Sequence, residues 1–125
     1  MPTDRAPRIL IVDDEDQIRA LLERALREKG YEIVAVGDGA AGLEAVLTAQ
    51  EPYDLVVTNN CMPRMEGEEL IARIREARPS LPMLHLDDMS GPHQLTLPPD
   101  VPNITKPFNL DTLVSRVEEL LSRSD

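Results

Sequence analysis

Hydrophobic positions along this chain fall into two alternating rhythms, and the alternation predicts its architecture. Residues 8–13 (RILIVD) form a continuous apolar run closing on acid, as in a strand buried on both faces. Over 15–29 the apolar positions are Ile18, Leu21, Leu22, Ala25 and Leu26, the spacing of an amphipathic helix. Gly30 stands where a left-handed residue ends such a helix. Residues 32–36 (EIVAV) predict a second strand. Gly37-Asp38-Gly39 then supplies turn chemistry before a short helix over 40–50, with Leu43, Val46 and Leu47 inward. A third strand over 54–59 (DLVVTN) closes at Met62-Pro63. The helix predicted over 67–78 carries Leu70, Ile74 and Ala77 on one side and is stopped by Pro79. Residues 83–86 and 103–105 predict two more short strands. The last helix starts from an N-cap at Asn109 and carries Leu110, Leu113, Val114, Val117, Leu120 and Leu121 as a full stripe.

Strands alternating with helices predict an α/β domain: right-handed crossovers, a doubly wound five-stranded parallel sheet, and helices on both faces. Ligands of such sheets sit beyond the carboxyl ends of the strands. The rhythm breaks at 88–102 (DMSGPHQLTLPPDVP), where a fourth helix would be expected. The chain has 11 prolines, and Pro92, Pro98, Pro99, Pro102 and Pro107 all fall in this part of it. A helix-interior proline costs about 3 kcal/mol, so an extended Pro-rich loop with at most one turn is expected. The domain is expected over 8–122, with 1–7 a flexible lead, 123–125 a tail and no output domain.

Composition narrows the function. Across 125 residues, Lys+Arg 13 against Asp+Glu 23 gives a net charge of −10, which disfavours nucleic acid and anionic membrane surfaces. Tyr31, Tyr53 and Phe108 are the only aromatic residues, too few for base-stacking platforms. The single cysteine, Cys61, excludes a disulfide framework and a thiolate zinc site and fits a reducing cytoplasm. No apolar run reaches the roughly 18 residues of a membrane span.

The strand ends carry the candidate chemistry: Asp13 and Asp14, Asn59, Asp87 or Asp88, and Lys106. Clustered carboxylates suit a magnesium-like cation, and a lysine beside them can neutralise an anion. A single acid of this kind is ordinarily a solvated terminus; it is their convergence that points to a site. Cys61 reads as an inert loop thiol, His85 as packed and hydrogen-bonded within its strand, and His93 as a loop residue. Glu66, Glu68 and Glu69 favour the first turn of a helix through its dipole.

Three motifs in order, IVDDE (11–15), DLVVTNNCMPRMEG (54–67) and TKPF (105–108), make the chain resemble the receiver domain of two-component response regulators. The resemblance spans most of the chain and implies a flavodoxin-like sheet of order 2-1-3-4-5. It further implies phosphoryl transfer from a histidine kinase to an aspartate, assisted by Mg2+. Readout would be through the surface of the fourth helix, fifth strand and last helix. On this resemblance Asp13 and Asp14 would hold the metal with the Cys61 backbone carbonyl. Lys106 would contact the phosphoryl group, with a cis peptide before Pro107. Met62, Pro63 and Gly67 would form the loop after the acceptor.

The same comparison marks four departures. The acceptor position holds Asn59, a far poorer nucleophile than a carboxylate, though its oxygen can still coordinate a cation. The family's Thr or Ser falls at Asp87, whose carboxylate accepts hydrogen bonds and repels a phosphoryl group. The aromatic switch position holds Asn103, and the proline loop replaces the fourth helix. The reading is an atypical receiver acting through phosphorylation-independent protein contact, partnered by a histidine kinase or downstream effector, as a monomer or weak dimer. Its Mg2+ site is weakened: Asp87 either restores a site with Asp13 and Asp14 or pairs directly with Lys106. The alternatives are a receiver phosphorylated on another acid (Asp87 or Asp13) and a small Mg-dependent phosphatase. The latter is disfavoured by the absence of D-x-D spacing and of a glycine-rich phosphate loop.

Overall fold

The computed structural model describes residues 6–60, 62, 64–87 and 97–123. Its elements are β1 (Arg8–Val12), α1 (Asp16–Glu28), β2 (Glu32–Val36), α2 (Gly39–Thr48) and β3 (Leu55–Asn59), followed by α3 (Gly67–Ala77), β4 (Met83–Asp87), β5 (Asn103–Thr105) and α4 (Leu110–Arg123). The strands form one sheet of order β2-β1-β3-β4-β5, every pair parallel. Alternate strand residues feed two cores. Ile9, Ile11, Val57 and Leu84 pack with Leu22 and Leu26 of α1 and Leu113 and Val117 of α4. Leu10, Val12, Val56 and Met83 pack with Val46 of α2 and Leu70, Ile71 and Ile74 of α3. Burial on both faces is the reason the strands read as unbroken apolar runs rather than alternating ones. It also keeps α4 docked on the sheet.

Register brings the chemistry to one edge. Val12 pairs with Val36 and Thr58, Asn59 with Leu86, and Asp87 with Thr105. Asp13, Asn59, Asp87 and Lys106 therefore stand side by side at the carboxyl ends of β1, β3, β4 and β5. β4 runs one residue beyond the expected end, and so takes in Asp87.

Three expected helix faces need correction. In α1, Leu21 is 46% exposed. Each residue turns a helix by about 100°, and the buried stripe centres on Leu22 and Leu26, which leaves Leu21 at its margin. In α2, Leu47 is 48% exposed, and the inward residues are Gly42 and Val46. The cause is close packing on β1: a Cβ at Gly42 would lie 2.8 Å from Val12 Cγ2, so the helix presses its glycine against the sheet and rotates Leu47 outward. That helix also ends at Thr48, two residues early. In α3 the buried set is Leu70, Ile71 and Ile74, with Ala77 only partly covered.

Asn109 caps the last helix as expected, its Oδ1 accepting from Asp111 N at 2.8 Å. The expected proline loop lies partly outside the described residues, since 88–96 are not among them. Residues 97–102 carry no helix; a turn closes from Val101 N to Pro98 O at 3.0 Å. This stretch is held to α3 by a two-pronged pair, Arg75 Nη1 to Asp100 Oδ1 at 2.9 Å and Nη2 to Oδ2 at 3.0 Å.

Candidate functional site at the strand ends

The β1–α1 turn is built by its own acids. Asp13 is fully buried; its N–H donates to Val36 O at 3.1 Å and its Oδ1 accepts from Glu15 N at 2.9 Å. Arg19 locks the turn from the helix, with Nη1 donating to Asp13 O at 2.8 Å and Nη2 to Asp16 Oδ1 at 2.7 Å. Burial pushes the Asp13 carboxyl above its ordinary value, against the pull of the Glu15 N–H and the Lys106 ammonium.

Lys106 enters from β5, where its N–H donates to Asp87 O at 2.6 Å and its bond to Pro107 is cis. Its ammonium has three acceptors: Asp13 Oδ2 at 3.4 Å, Glu15 Oε1 at 3.2 Å and Asn59 Oδ1 at 3.1 Å. An ammonium has three protons, so this set uses its donor capacity. Asn59 is 1% exposed and uses both ends of its amide, accepting from Lys106 through Oδ1 and donating from Nδ2 to Asp14 Oδ1 at 3.1 Å. A carboxylate could make the first contact but not the second.

The loop after β3 is fixed by close backbone approach. Gly67 N donates to Asn60 O at 2.8 Å, and a Cβ at Gly67 would fall 2.2 Å from Asn59 O, so only glycine fits. Arg64 takes a left-handed φ of 71° and pairs with Asp38, whose Oδ1 also caps α2 by accepting from Ala41 N at 2.8 Å. The Ala41 N–H bond, reinforced by Arg64, holds the Asp38 carboxyl below its ordinary value. Cys61 and Pro63 lie outside the described residues, as do Asp88 and His93.

Of the expected site residues, Asp13, Asp14, Asn59 and Lys106 are joined in one network. Asp87 stands at the end of β4, 2% exposed. The direct Asp87–Lys106 side-chain pair is not formed among the described residues, because the ammonium is taken by Asp13, Glu15 and Asn59. Nor do Asp13, Asp14 and Asp87 make a metal cage. Among the described residues no group of three or more His, Cys, Asp or Glu side chains is placed to hold a metal ion. The donors explain it: an ammonium sits on Asp13, an amide N–H sits on Asp14, and Asn59 Oδ1 is engaged by Lys106. Cys61, whose carbonyl is the remaining expected metal contact, lies outside the described residues.

Asn103 is exposed on β5, its Oδ1 2.7 Å from Nδ1 of the fully buried His85. Glu68 and Glu69 occupy the first turn of α3, and Glu69 pairs with Arg73 at 3.0 Å. Sequence reasoning missed Glu15 as a lysine partner, the Arg64–Asp38 tie and the reach of His85. For Glu15, its place next to the acid pair was a usable signal. The others depend on approaches between distant segments that no local pattern announces. A separate cavity of about 510 Å³ lies at the opposite end of the sheet, lined by Val46, Tyr53, Arg78 and Leu81 among others, away from this network.

Comparison with known proteins agrees with the geometry. Residues 9–118 match the family model of the response regulator receiver domain. The chain is 32% identical to the response regulator receiver protein CpdR of Brucella abortus, over 91% of this chain and 96% of that one. It is 38% identical to the transcriptional regulatory protein TcrA of Mycobacterium tuberculosis over 93% of its length, but spans only 46% of that protein. Among solved structures, the response regulator TrrA of Thermotoga maritima, in complex with Mg(2+)-BeF, superposes with a TM-score of 0.81 at 33% identity, covering 91% of this chain and 98% of that one. A response regulator receiver protein from Sinorhizobium medicae reaches a TM-score of 0.86 at 26% identity, covering 98% of this chain and all of that one (100%). Sheet order, strand-end acids, the lysine followed by a cis proline and the family match together place this chain among the receiver domains of two-component response regulators.

Proposed function

We propose that this receiver works without phosphorylation of residue 59, through phosphorylation-independent contact with a signalling partner, either a histidine kinase or a downstream effector. The observation that carries the reading is the Asn59 amide, bonded at one end to Lys106 and at the other to Asp14. A phosphoryl group arriving on residue 59 needs a nucleophile, a cation and a lysine with capacity to spare. Here the nucleophile is a neutral amide, the lysine is engaged by three acceptors, and the two acids nearest to it already hold donors. Asp87 supports the same reading, since a nearly buried carboxylate at the end of β4 opposes an incoming dianion.

The Mg2+ site is accordingly weak, and the module is a binding protein rather than an enzyme. Its compartment is the cytoplasm, in keeping with the lone cysteine; no helix among the described residues is long and apolar enough to cross a membrane. Intact-mass measurement after incubation with acetyl phosphate and Mg2+ tests the proposal. The expected spectrum is that of the unmodified chain. A gain of one phosphoryl mass overturns it, and fragmentation would then assign the group to Asp87, Asp13 or another acid.

A further inference from the structure

The cavity of about 510 Å³ at the other end of the sheet is lined from the C-terminal ends of α2 and α3 and from the segments that lead into β3 and β4. Val46 and Leu81, both buried, give it an apolar lining, and the part-buried Tyr53 adds an aromatic ring. Its walls are stiff. Pro52, Pro79 and Pro82 fix their own φ angles, and Leu81 N closes a turn by donating to Arg78 O at 3.2 Å. Arg8 steadies the ring, with its guanidinium carbon 4.7 Å from the Tyr53 centroid. A preformed cavity of this volume falls within the roughly 300–1,000 Å³ of small-ligand sites.

Charge selects the ligand. α2 ends at Thr48 and α3 at Ala77, and the last carbonyls of a helix lack intrahelical partners and carry the negative end of its dipole. Both ends meet at this cavity beside the Asp54 carboxylate, which is fixed by a bond from Arg8 N to Oδ2 at 2.7 Å. Among the described residues of the lining, the opposing charge is Arg78, which is exposed and turns Nη1 to the Ala77 carbonyl at 2.9 Å. We propose that the cavity binds a small organic cation, an ammonium group on an apolar or aromatic body. The ammonium faces Asp54 and the α2 carbonyls, and the body packs on Tyr53, Val46 and Leu81. The net charge of −10 favours the approach of such a ligand. The site stands at the opposite end of the strands from Asp13, Asn59 and Lys106, so its occupancy needs neither a phosphoryl group nor a metal.

The test is titration of the full 15N-labelled chain with phenethylammonium, followed through backbone amide shifts. No phosphodonor is present, so the outcome is independent of the mass experiment. A probe of this size should bind with a Kd on the order of 1 mM, shifting amides within 46–54 and 77–82. Phenylacetate, its anionic counterpart, should not bind, and neutral 2-phenylethanol should bind about tenfold more weakly. Asp54→Asn keeps the shape while removing the charge, and should weaken phenethylammonium about tenfold. Arg78→Gln removes the opposing charge and should bind the probe no less tightly than the parent. Ala49→Phe, at a part-buried lining position, should fill the space and abolish binding; if that variant does not fold, the other two keep the test decisive. The proposal is overturned by amides at 46–54 and 77–82 that do not shift, or by phenylacetate or 2-phenylethanol binding as well as the cation. Parent-like binding by Asp54→Asn or by a folded Ala49→Phe, or weaker binding by Arg78→Gln, also overturns it.

Discussion

Replacing Asn59 by aspartate tests the amide bridge directly, because the change is isosteric and alters only donor capacity and charge. Asn59 Nδ2 donates to Asp14 Oδ1 at 3.1 Å. The aspartate removes that donor and sets two carboxylates across the gap. With an effective dielectric of about 20, unit charges about 4 Å apart interact by about 4 kcal/mol. The new carboxylate also gains an attraction of similar size to Lys106, which lies 3.1 Å from Asn59 Oδ1, so the charge terms largely cancel. What is left is the lost hydrogen bond to a charged group, about 1.5–3 kcal/mol. At roughly 4 °C per kcal/mol for a domain of this size, Tm should fall by about 6–12 °C in metal-free buffer. Magnesium should then separate the two proteins. Asp13, Asp14 and the new acid make three carboxylates, and Mg2+ at a hundredfold its Kd would restore about 2.7 kcal/mol to the variant. The parent, whose donors occupy those positions, should respond little. Differential scanning calorimetry with EDTA and with Mg2+ gives both numbers. A metal-free variant as stable as the parent would refute the claim that the Asn59–Asp14 contact holds the site, and equal magnesium responses would refute the account of why the parent site is weak.

Further substitutions probe the supports around it. Lys106→Met leaves the buried Asp13 carboxylate without its cation and should cost about 3–5 kcal/mol in urea unfolding. Asp13 also sets a pH dependence. Its folded pKa is raised above the 3.8 of a free carboxyl by burial, so the folded state holds the proton longer than the unfolded chain does. Its contribution is full below the unfolded value and is lost as pH rises through the folded one. Asp13→Asn should remove that component from the stability–pH curve, and an unchanged curve would count against it. Asp38 has the opposite sign: its folded pKa is lowered, so its stabilisation is present above 3.8 and lost as pH falls through the folded value. Asp38→Ala should cost about 0.5–2 kcal/mol through the α2 cap. It should also release Arg64, seen as faster amide exchange at 64–66. Gly67→Ala, whose Cβ would stand 2.2 Å from the Asn59 carbonyl oxygen, should destabilise by about 1–3 kcal/mol or more. Because the obstacle is backbone, Gly67→Ser should do no better.

Most of the fold was open to reading from local pattern. Apolar runs at 9–12, 55–57 and 83–86, the last interrupted by His85, come from strands covered on both faces, and three-four spacing in the helices comes from one-sided docking. Both are properties of neighbouring residues. The order of strand-end residues was legible for the same reason, since a parallel sheet carries every carboxyl end to one edge. Legibility failed wherever an answer depended on how closely two distant segments approach. Leu47 matches the helical pattern as well as Val46 does, yet Gly42 pressed on Val12 decides which of them is buried.

The same division runs through the site. The residue types at 13, 14, 59, 87 and 106 were determined by the sequence, an amide at 59 and an acid at 87 among them. Tertiary structure alone decided that Lys106 and Asp14 share one amide, that the lysine donates to Asp13, Glu15 and Asn59, and that His85 spans from Asn60 to Asn103. Hydrogen bonds form only within about 3.5 Å, and pairing register, not spacing along the chain, brings residues 47 positions apart to that distance.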